Sequence, residues 1–114
     1  MTSLNDLVHL LRAWTEDHNL HVQAAVDLLI EHGRWIADRS FREACVTVDD
    51  DVAWIDWDAA RAAYDAGRFG AASGSEKAVL DFAICLGEDR FAFNSLDARN
   101  TRLVLAATAH ALDL

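Results

Sequence analysis

The chain has 114 residues, enough for one domain, and nineteen acidic against ten basic side chains give it a net charge of −9. With Lys77 as its single lysine and no cluster of arginines, it lacks the basic surface that phosphate recognition requires, so we expect no direct nucleic-acid binding. Twenty-one alanines and the absence of proline favour helices, and no apolar run reaches the length of a membrane span.

These properties predict a mainly α fold: a compact bundle of about five helices, with a possible small β-hairpin near 44–57. The whole chain, 1–114, is expected to be a single acidic domain. Along the sequence we distinguish a helical hairpin (1–33), a mixed segment (34–66), a flexible connection (67–74) and an apolar helix pair (75–114).

Two amphipathic helices are predicted at the start of the chain. Ser3 and Asp6 form an acidic version of a capping box before a helix over about 4–16. A second helix is expected to begin after Asn19 and to end at Gly33, a residue suited to a left-handed C-terminal position. Because the connection is short, the two helices should pack antiparallel.

The middle of the chain is less regular. A short helix is predicted near 34–38 and another after Ser40, followed by two β-prone runs, 45–48 and 52–57, on either side of three aspartates. These runs favour a hairpin, with an extended loop as the alternative. Asp58 is then expected to cap a helix from Ala59 to Ala66.

The last forty residues contain the most apolar helices. A full capping box, Ser73 to Glu76, is expected to open a helix over about 75–86 that ends at Gly87. Residues 90–94 alternate as a short strand would, and Ser95 or Asp97 should cap a helix over about 98–112. Helices this apolar are either the centre of the domain or a partner interface.

Several of these segments together resemble a group of small actinobacterial proteins to which no activity is assigned. The matching segments are Leu28 to Gly33, Ile55 to Ala59, Ser73 to Glu76, Leu96 to Asn100 and Leu103 to Ala107. Most matched positions are helix caps and core residues, so the resemblance implies no activity, cofactor or partner.

Candidate metal ligands are few. Asp49, Asp50 and Asp51 offer oxygen ligands, but they lack the spacing and central glycine of a calcium loop, so a solvated turn is the preferred interpretation. His18 and His21 have a chelating spacing but no third ligand beside them. We therefore predict no metal and no cofactor.

Catalytic residues are not predicted either. Ser73 and Ser75 are explained by helix capping, and the glycines of 67–74 form no phosphate-binding motif. Cys45 and Cys85 are interpreted as buried apolar side chains rather than as a disulfide or a metal pair, which fits a reducing cytoplasm. The sequence thus favours a protein that is not an enzyme.

The candidate binding residues lie in the 50s. Tryptophan is enriched at interaction hot spots, and here it adjoins an acidic run, although the same rings could simply close the core. The candidate partner-binding residues are Asp49, Asp50, Asp51, Trp54 and Trp57.

Taken together, these observations predict a cytoplasmic, non-catalytic accessory or regulatory protein that binds another protein or itself. Self-binding would make it a homo-oligomer, and neither membrane nor nucleic acid is an expected partner. One alternative is an acidic DNA mimic that inhibits a nucleic-acid-binding protein, suggested by the charge of −7 on residues 1–57. The other is a small metal-dependent hydrolase, which would require His18, His21 or His110 to meet acidic side chains in a cleft.

Overall fold

A computed structural model describes residues 2–114. Its fold is mainly helical with one small hairpin, which confirms the predicted class. In chain order the elements are α1 (Leu4–Thr15), α2 (Leu20–His32), α3 (Arg34–Ala37), α4 (Arg39–Cys45), β1 (Val46–Asp49), β2 (Val52–Ile55), α5 (Trp57–Asp65), α6 (Gly74–Glu88), a 3-10 turn (Phe93–Ser95) and α7 (Ala98–Ala111). Among residues 2–114, no helix is long and apolar enough to cross a membrane.

The first two helices have the predicted ends. The Ser3 hydroxyl accepts a hydrogen bond from the Asp6 backbone N–H at 3.1 Å, and Gly33 closes α2 in the left-handed region with φ 81°. Arg12 and Asp27 link α1 to α2 by an ion pair of 3.6 Å. These local signals work because capping and left-handed termination depend on a few adjacent residues.

The predicted hairpin is present. β1 and β2 pair antiparallel, with Val46 opposite Ile55 and Asp49 opposite Val52. The turn consists of Asp50 and Asp51, and Asp50 takes a positive φ of 52°, which aspartate tolerates better than most residues. The predicted cap of the next helix was wrong: Asp56 caps α5 by accepting from the Ala59 N–H at 3.0 Å, which leaves Asp58 in the first turn.

The core lies between α2, α6 and the α1–hairpin layer. Its aromatic centre is Trp35, with Phe41 and Phe69 packed around it at ring-centroid distances of 6.1 and 5.2 Å. The Trp35 indole N–H donates to the Glu76 carbonyl at 3.0 Å, so even this polar atom is paired. Phe69 comes from the glycine-containing connection 67–74, which is therefore anchored on the core by a buried ring.

The end of the chain differs from the prediction in two places. Helix α6 does not end at Gly87; it continues to Glu88 and is capped by Asp89 in the left-handed region. The alternating run 90–94 is not a strand, because the described structure offers it no neighbouring strand to pair with, and a 3-10 turn forms at its end instead. α7 begins at the predicted cap, Asp97, whose carboxylate accepts from the Asn100 N–H at 2.8 Å.

Candidate functional site

A concave, mostly apolar surface lies between α6 and α7. It encloses about 370 Å³, and we call it the C-terminal groove. Its walls are almost entirely apolar, and Arg90 supplies the one charged side chain; the remaining lining residues are Phe82, Cys85, Phe91, Phe93, Val104 and Thr108. An apolar groove with one cation at its edge suits the non-polar face of a protein segment better than a small polar substrate.

A sharp turn after α6 presents two of the aromatic rings to the groove. Asp89 and Ala92 both have positive φ, 52° and 56°, and the Ala92 N–H donates to the Asp89 carbonyl at 3.0 Å, which closes a turn. The Asp89 carboxylate accepts a hydrogen bond from the Phe93 N–H at 2.9 Å and so fixes the turn. The rings of Phe91 and Phe93 then lie 5.1 Å apart, and Phe91 remains 51% exposed.

Helix α7 forms the other wall and is barely covered by the rest of the domain. Within residues 98–111, all of which the structure describes, no side chain is buried. Leu105 and Leu112 are 67% and 65% exposed, although leucine is among the residues most often buried in proteins. Of the two alternatives for the apolar helix pair, α6 belongs to the core and α7 lies at the surface.

Behind the groove, Arg61 holds α5 to α6. Its guanidinium donates to Asp81 at 2.9 Å and to Glu88 at 3.3 Å, and it lies 3.3 Å from the Cys85 sulfur. Burial acts to lower the pKa of Arg61, but the hydrogen bond to Asp81 and the charges of Glu88 and Asp81 outweigh it, so the pKa is raised. This cation stays charged and fixes the α6 face that carries Cys85.

The two cysteines lie in different surroundings. Burial raises the pKa of the Cys45 thiol to about 11; the charge of Arg68 opposes this shift, and that of Asp56 adds to it. Cys85 is half-buried and lines the C-terminal groove, and both thiols are free. Cys45 is therefore a core side chain, as predicted, whereas Cys85 adjoins the candidate site.

The candidate partner-binding residues are spread along the hairpin. Asp49, Asp50 and Asp51 are exposed at its tip, and Trp54 is half-buried opposite Thr47. Trp57 lies beyond β2, as the first residue of α5, and packs against Gly87 of α6; β2 itself, with four residues, spans about 13 Å. The structure thus brings the aspartates together but separates them from Trp57.

A second, polar cleft borders the hairpin tip. Asp50 and Asp51 share it with Asp6 and His9 of α1, and its volume is about 350 Å³. Asp6 was not among the candidate residues, because only the fold brings α1 next to the hairpin. Among residues 2–114, no three His, Cys, Asp or Glu side chains are placed to hold one metal ion.

The histidines with chelating spacing point to different partners. His18 bonds through Nδ1 to the Trp14 carbonyl at 2.7 Å. His21 bonds through Nδ1 to the Leu86 carbonyl at 2.8 Å, with its Nε2 3.9 Å from Asp89. Each ring therefore bonds to a carbonyl in the last turn of a helix: His18 in α1, and His21 in α6.

Comparisons with protein-family models, with curated proteins and with solved structures found no match to this chain.

Sequence reasoning missed the groove residues Phe82, Phe91 and Phe93. The signal in the sequence was that both C-terminal helices are apolar on nearly all sides. This pattern does not tell which helix packs in the core and which forms an interface. The turn that places Phe91 and Phe93 depends on positive φ at Asp89 and Ala92, and alanine gives no sequence sign of that conformation.

Proposed function

We propose that this chain is a non-catalytic accessory or regulatory protein that acts by binding protein, either another protein or a second copy of itself. The observation that supports this is the C-terminal groove together with α7. A 14-residue helix is marginal in water without tertiary packing, and this one exposes its leucines. A protein partner that covers the groove and α7 would bury the exposed leucines and give the helix the tertiary packing that it lacks.

The chemistry of the groove agrees with this role. Its lining offers aromatic and aliphatic surface with a single guanidinium, the combination enriched at protein interfaces. Phe82 and Phe91 are each 51% exposed, so two rings are available as anchors. No acid–base pair accompanies them in the groove lining, which leaves binding as the activity best supported there.

A photo-crosslinking experiment in cells tests the proposal. A photoreactive amino acid in place of Phe91 should give one dominant adduct, identified by mass spectrometry as one protein or as the chain itself. Phe82→Asp in the same chain should abolish that adduct, because a charge in the groove would have to be desolvated on binding.

The matched control carries the same probe at Arg39, an exposed position on α4 away from both the groove and the hairpin tip. If the probe at 91 yields no more adduct than the probe at 39, the proposed function is wrong. The same holds if the adduct survives Phe82→Asp.

The polar cleft favours a second candidate, the acidic inhibitor that mimics nucleic acid. Three carboxylates, those of Asp6, Asp50 and Asp51, surround one depression. Other acids of the first half are engaged in ion pairs, as Asp27 is with Arg12, and their charge is partly neutralised. The candidate phosphate-like surface is therefore smaller than the net charge of the first half implies.

Charge removal separates the two candidates. Replacing Asp49, Asp50 and Asp51 together by asparagine should abolish partner binding if the acidic inhibitor is correct, and should leave the Phe91 adduct unchanged if the groove is the binding surface. Unchanged affinity for the identified partner removes the acidic candidate.

A further inference from the structure

The outer edge of β1 is open. β2 pairs with β1 on one side, and within residues 2–114 no further strand lies on the other side. Thr47, Val48 and Asp49 are exposed, and for the apolar Val48 the exposed fraction is 41%. An open strand edge presents backbone groups to which an extended segment of another chain can add.

The register of the hairpin determines which backbone groups face this edge. Asp49 and Val52 flank the two-residue turn as direct partners, so this pair exchanges both of its backbone hydrogen bonds. Bonded pairs alternate along an antiparallel ladder, and the Asp56 N–H, which donates to the Cys45 carbonyl at 2.8 Å, has the place that this alternation requires. Val48, one residue before Asp49, therefore directs its N–H and C=O away from β2.

Val46 completes the open edge. It lies two residues before Val48, so its backbone groups point to the same side. Its N–H donates to the Arg42 carbonyl at the end of α4, which leaves its C=O on the open side. An antiparallel strand added here could exchange two hydrogen bonds with Val48 and donate a third to the Val46 carbonyl.

The side chains of an added strand would meet different surroundings on its two faces. Side chains alternate along a strand, so Val48 and Asp49 lie on opposite faces of the hairpin. The residue opposite Val48 gains an apolar neighbour, and the residue opposite Asp49 gains a carboxylate. Asp50 and Asp51 extend this negative charge beyond the strand. Because opposite charges in facing positions stabilise strand pairing, the edge fits a segment in which apolar and basic residues alternate.

The same charges act against a second copy of the chain at this edge. Each copy would bring a net charge of −9 and its own three exposed aspartates. Charged side chains on a short edge strand are a common means of preventing edge-to-edge association of identical chains. A basic segment, in contrast, neutralises the aspartates when it binds.

We infer that β1 is a docking edge for an extended basic segment of another protein, which adds beside β1 as a third, antiparallel strand. The inference goes beyond the proposed function, because neither the C-terminal groove nor α7 takes part. Backbone hydrogen bonds to Val46 and Val48 set the register of the segment, and Asp49 selects a basic residue one position away from the residue that faces Val48.

Fluorescence anisotropy with a labelled peptide of alternating arginine and valine tests the inference. The wild type should bind this peptide in preference to one of alternating glutamate and valine. Val48→Pro should weaken binding about tenfold, because proline removes the outward N–H. The hairpin should persist, since this N–H takes no part in pairing with β2. Val48→Thr is the matched control: it keeps the N–H and the branched side chain and should bind as the wild type does.

Hydrogen exchange locates the bound peptide. The Val48 N–H should exchange rapidly in the free protein and slowly in the complex. The Thr47 N–H faces β2 and should be protected in both. Asp49→Asn should weaken binding about two- to fivefold, as expected for an exposed ion pair.

The outcomes distinguish strand addition from its alternatives. No binding of the arginine–valine peptide overturns the inference, and so does a Val48 N–H whose exchange is unchanged by the peptide; this second measurement uses the wild type and decides even if Val48→Pro fails to fold. Binding that survives Val48→Pro in a folded variant shows attraction by charge alone and also overturns it. A wild-type dimer that Val48→Pro dissociates would assign the edge to a second copy instead. None of these results alters the Phe91 adduct, so the proposed function is tested separately.

Discussion

The indole ring of Trp57 lies directly against Gly87. This contact packs the first turn of α5 against the last turn of α6. A Cβ added at position 87 would overlap ring atoms Cδ2, Cε2 and Cε3 of this indole. The Trp57 Nε1 is buried and has no hydrogen-bond partner among the described residues, so packing alone holds the ring in place. Gly87 is therefore a packing residue inside a helix.

Gly87→Ala is expected to destabilise the protein even though alanine is the better helix former. In an open helical position the change would stabilise by about 1 kcal/mol. Here the added methyl group must displace an indole, and overpacking of this kind costs about 1–3 kcal/mol. Urea denaturation should show a lower midpoint than for the wild type.

Gly74→Ala is the control, because position 74 is also in α6 and has no neighbour within 4 Å of the added Cβ. It should be neutral or stabilising. If both variants shift the midpoint equally, contact with Trp57 is not the cause.

The same glycine shows where sequence reasoning succeeds and where it stops. The ends of α1 and α2 were predicted correctly, because Ser3 and Gly33 act on residues within a few positions. In the sequence, a glycine that ends a helix cannot be distinguished from a glycine that leaves room for an aromatic ring of another element. Gly87 was misread because Trp57, thirty residues away, decides between the two.

The candidate site was only partly predictable for the same reason. The surplus of apolar surface in 75–112 pointed to an interface, but the core takes up α6 and leaves α7 exposed. Which helix a core covers depends on long-range packing, which periodicity alone does not contain. The cleft formed by Asp6 and the hairpin tip was equally invisible, since 44 residues separate Asp6 from Asp50.

Arg61→Ala should lower the free energy of unfolding by about 2 kcal/mol, because hydrogen bonds between charged groups are stronger than those between neutral groups. The variant would also leave the Glu88 carboxylate, whose side chain is only 13% exposed, without one of its partners. Differential scanning calorimetry measures the change. Arg39→Ala is the control: its ion pair with Glu43 is on the surface, with the Arg39 side chain 92% exposed, and its loss should cost no more than about 0.5 kcal/mol. Similar losses for both would contradict a special role of Arg61.

Glu76 makes the start of α6 sensitive to acid. The Ser73 backbone N–H, which donates to its carboxylate at 2.8 Å, lowers the pKa of Glu76 below its ordinary 4.5; slight burial opposes this, and the Ser73 hydroxyl and Arg34 lower it further. The pKa of Glu76 is lower in the folded protein than in the unfolded chain. The ionised carboxylate therefore stabilises the fold at pH values above its ordinary pKa of 4.5. That stabilisation is lost as the pH falls through the folded pKa.

Glu76→Gln should therefore melt below the wild type at about pH 7, and the difference should shrink as the pH falls through the folded pKa, below which the wild-type carboxyl is also neutral. Thermal unfolding at a series of pH values gives the difference directly. A difference that stays constant over this range would show that the charge of Glu76 does not contribute.

Thiol labelling should distinguish Cys85 from Cys45 and report on the groove at the same time. The thiolate is the reactive form, and a pKa of about 11 in the core makes Cys45 unreactive near neutral pH. Cys85 lines the C-terminal groove, so an apolar maleimide should modify it first in the folded protein. A protein bound in the C-terminal groove should slow the Cys85 reaction, because it would cover this thiol. Cys85→Ser checks the assignment, since it should leave only the slow reaction of Cys45; equal rates for the two thiols would contradict the groove as an accessible surface.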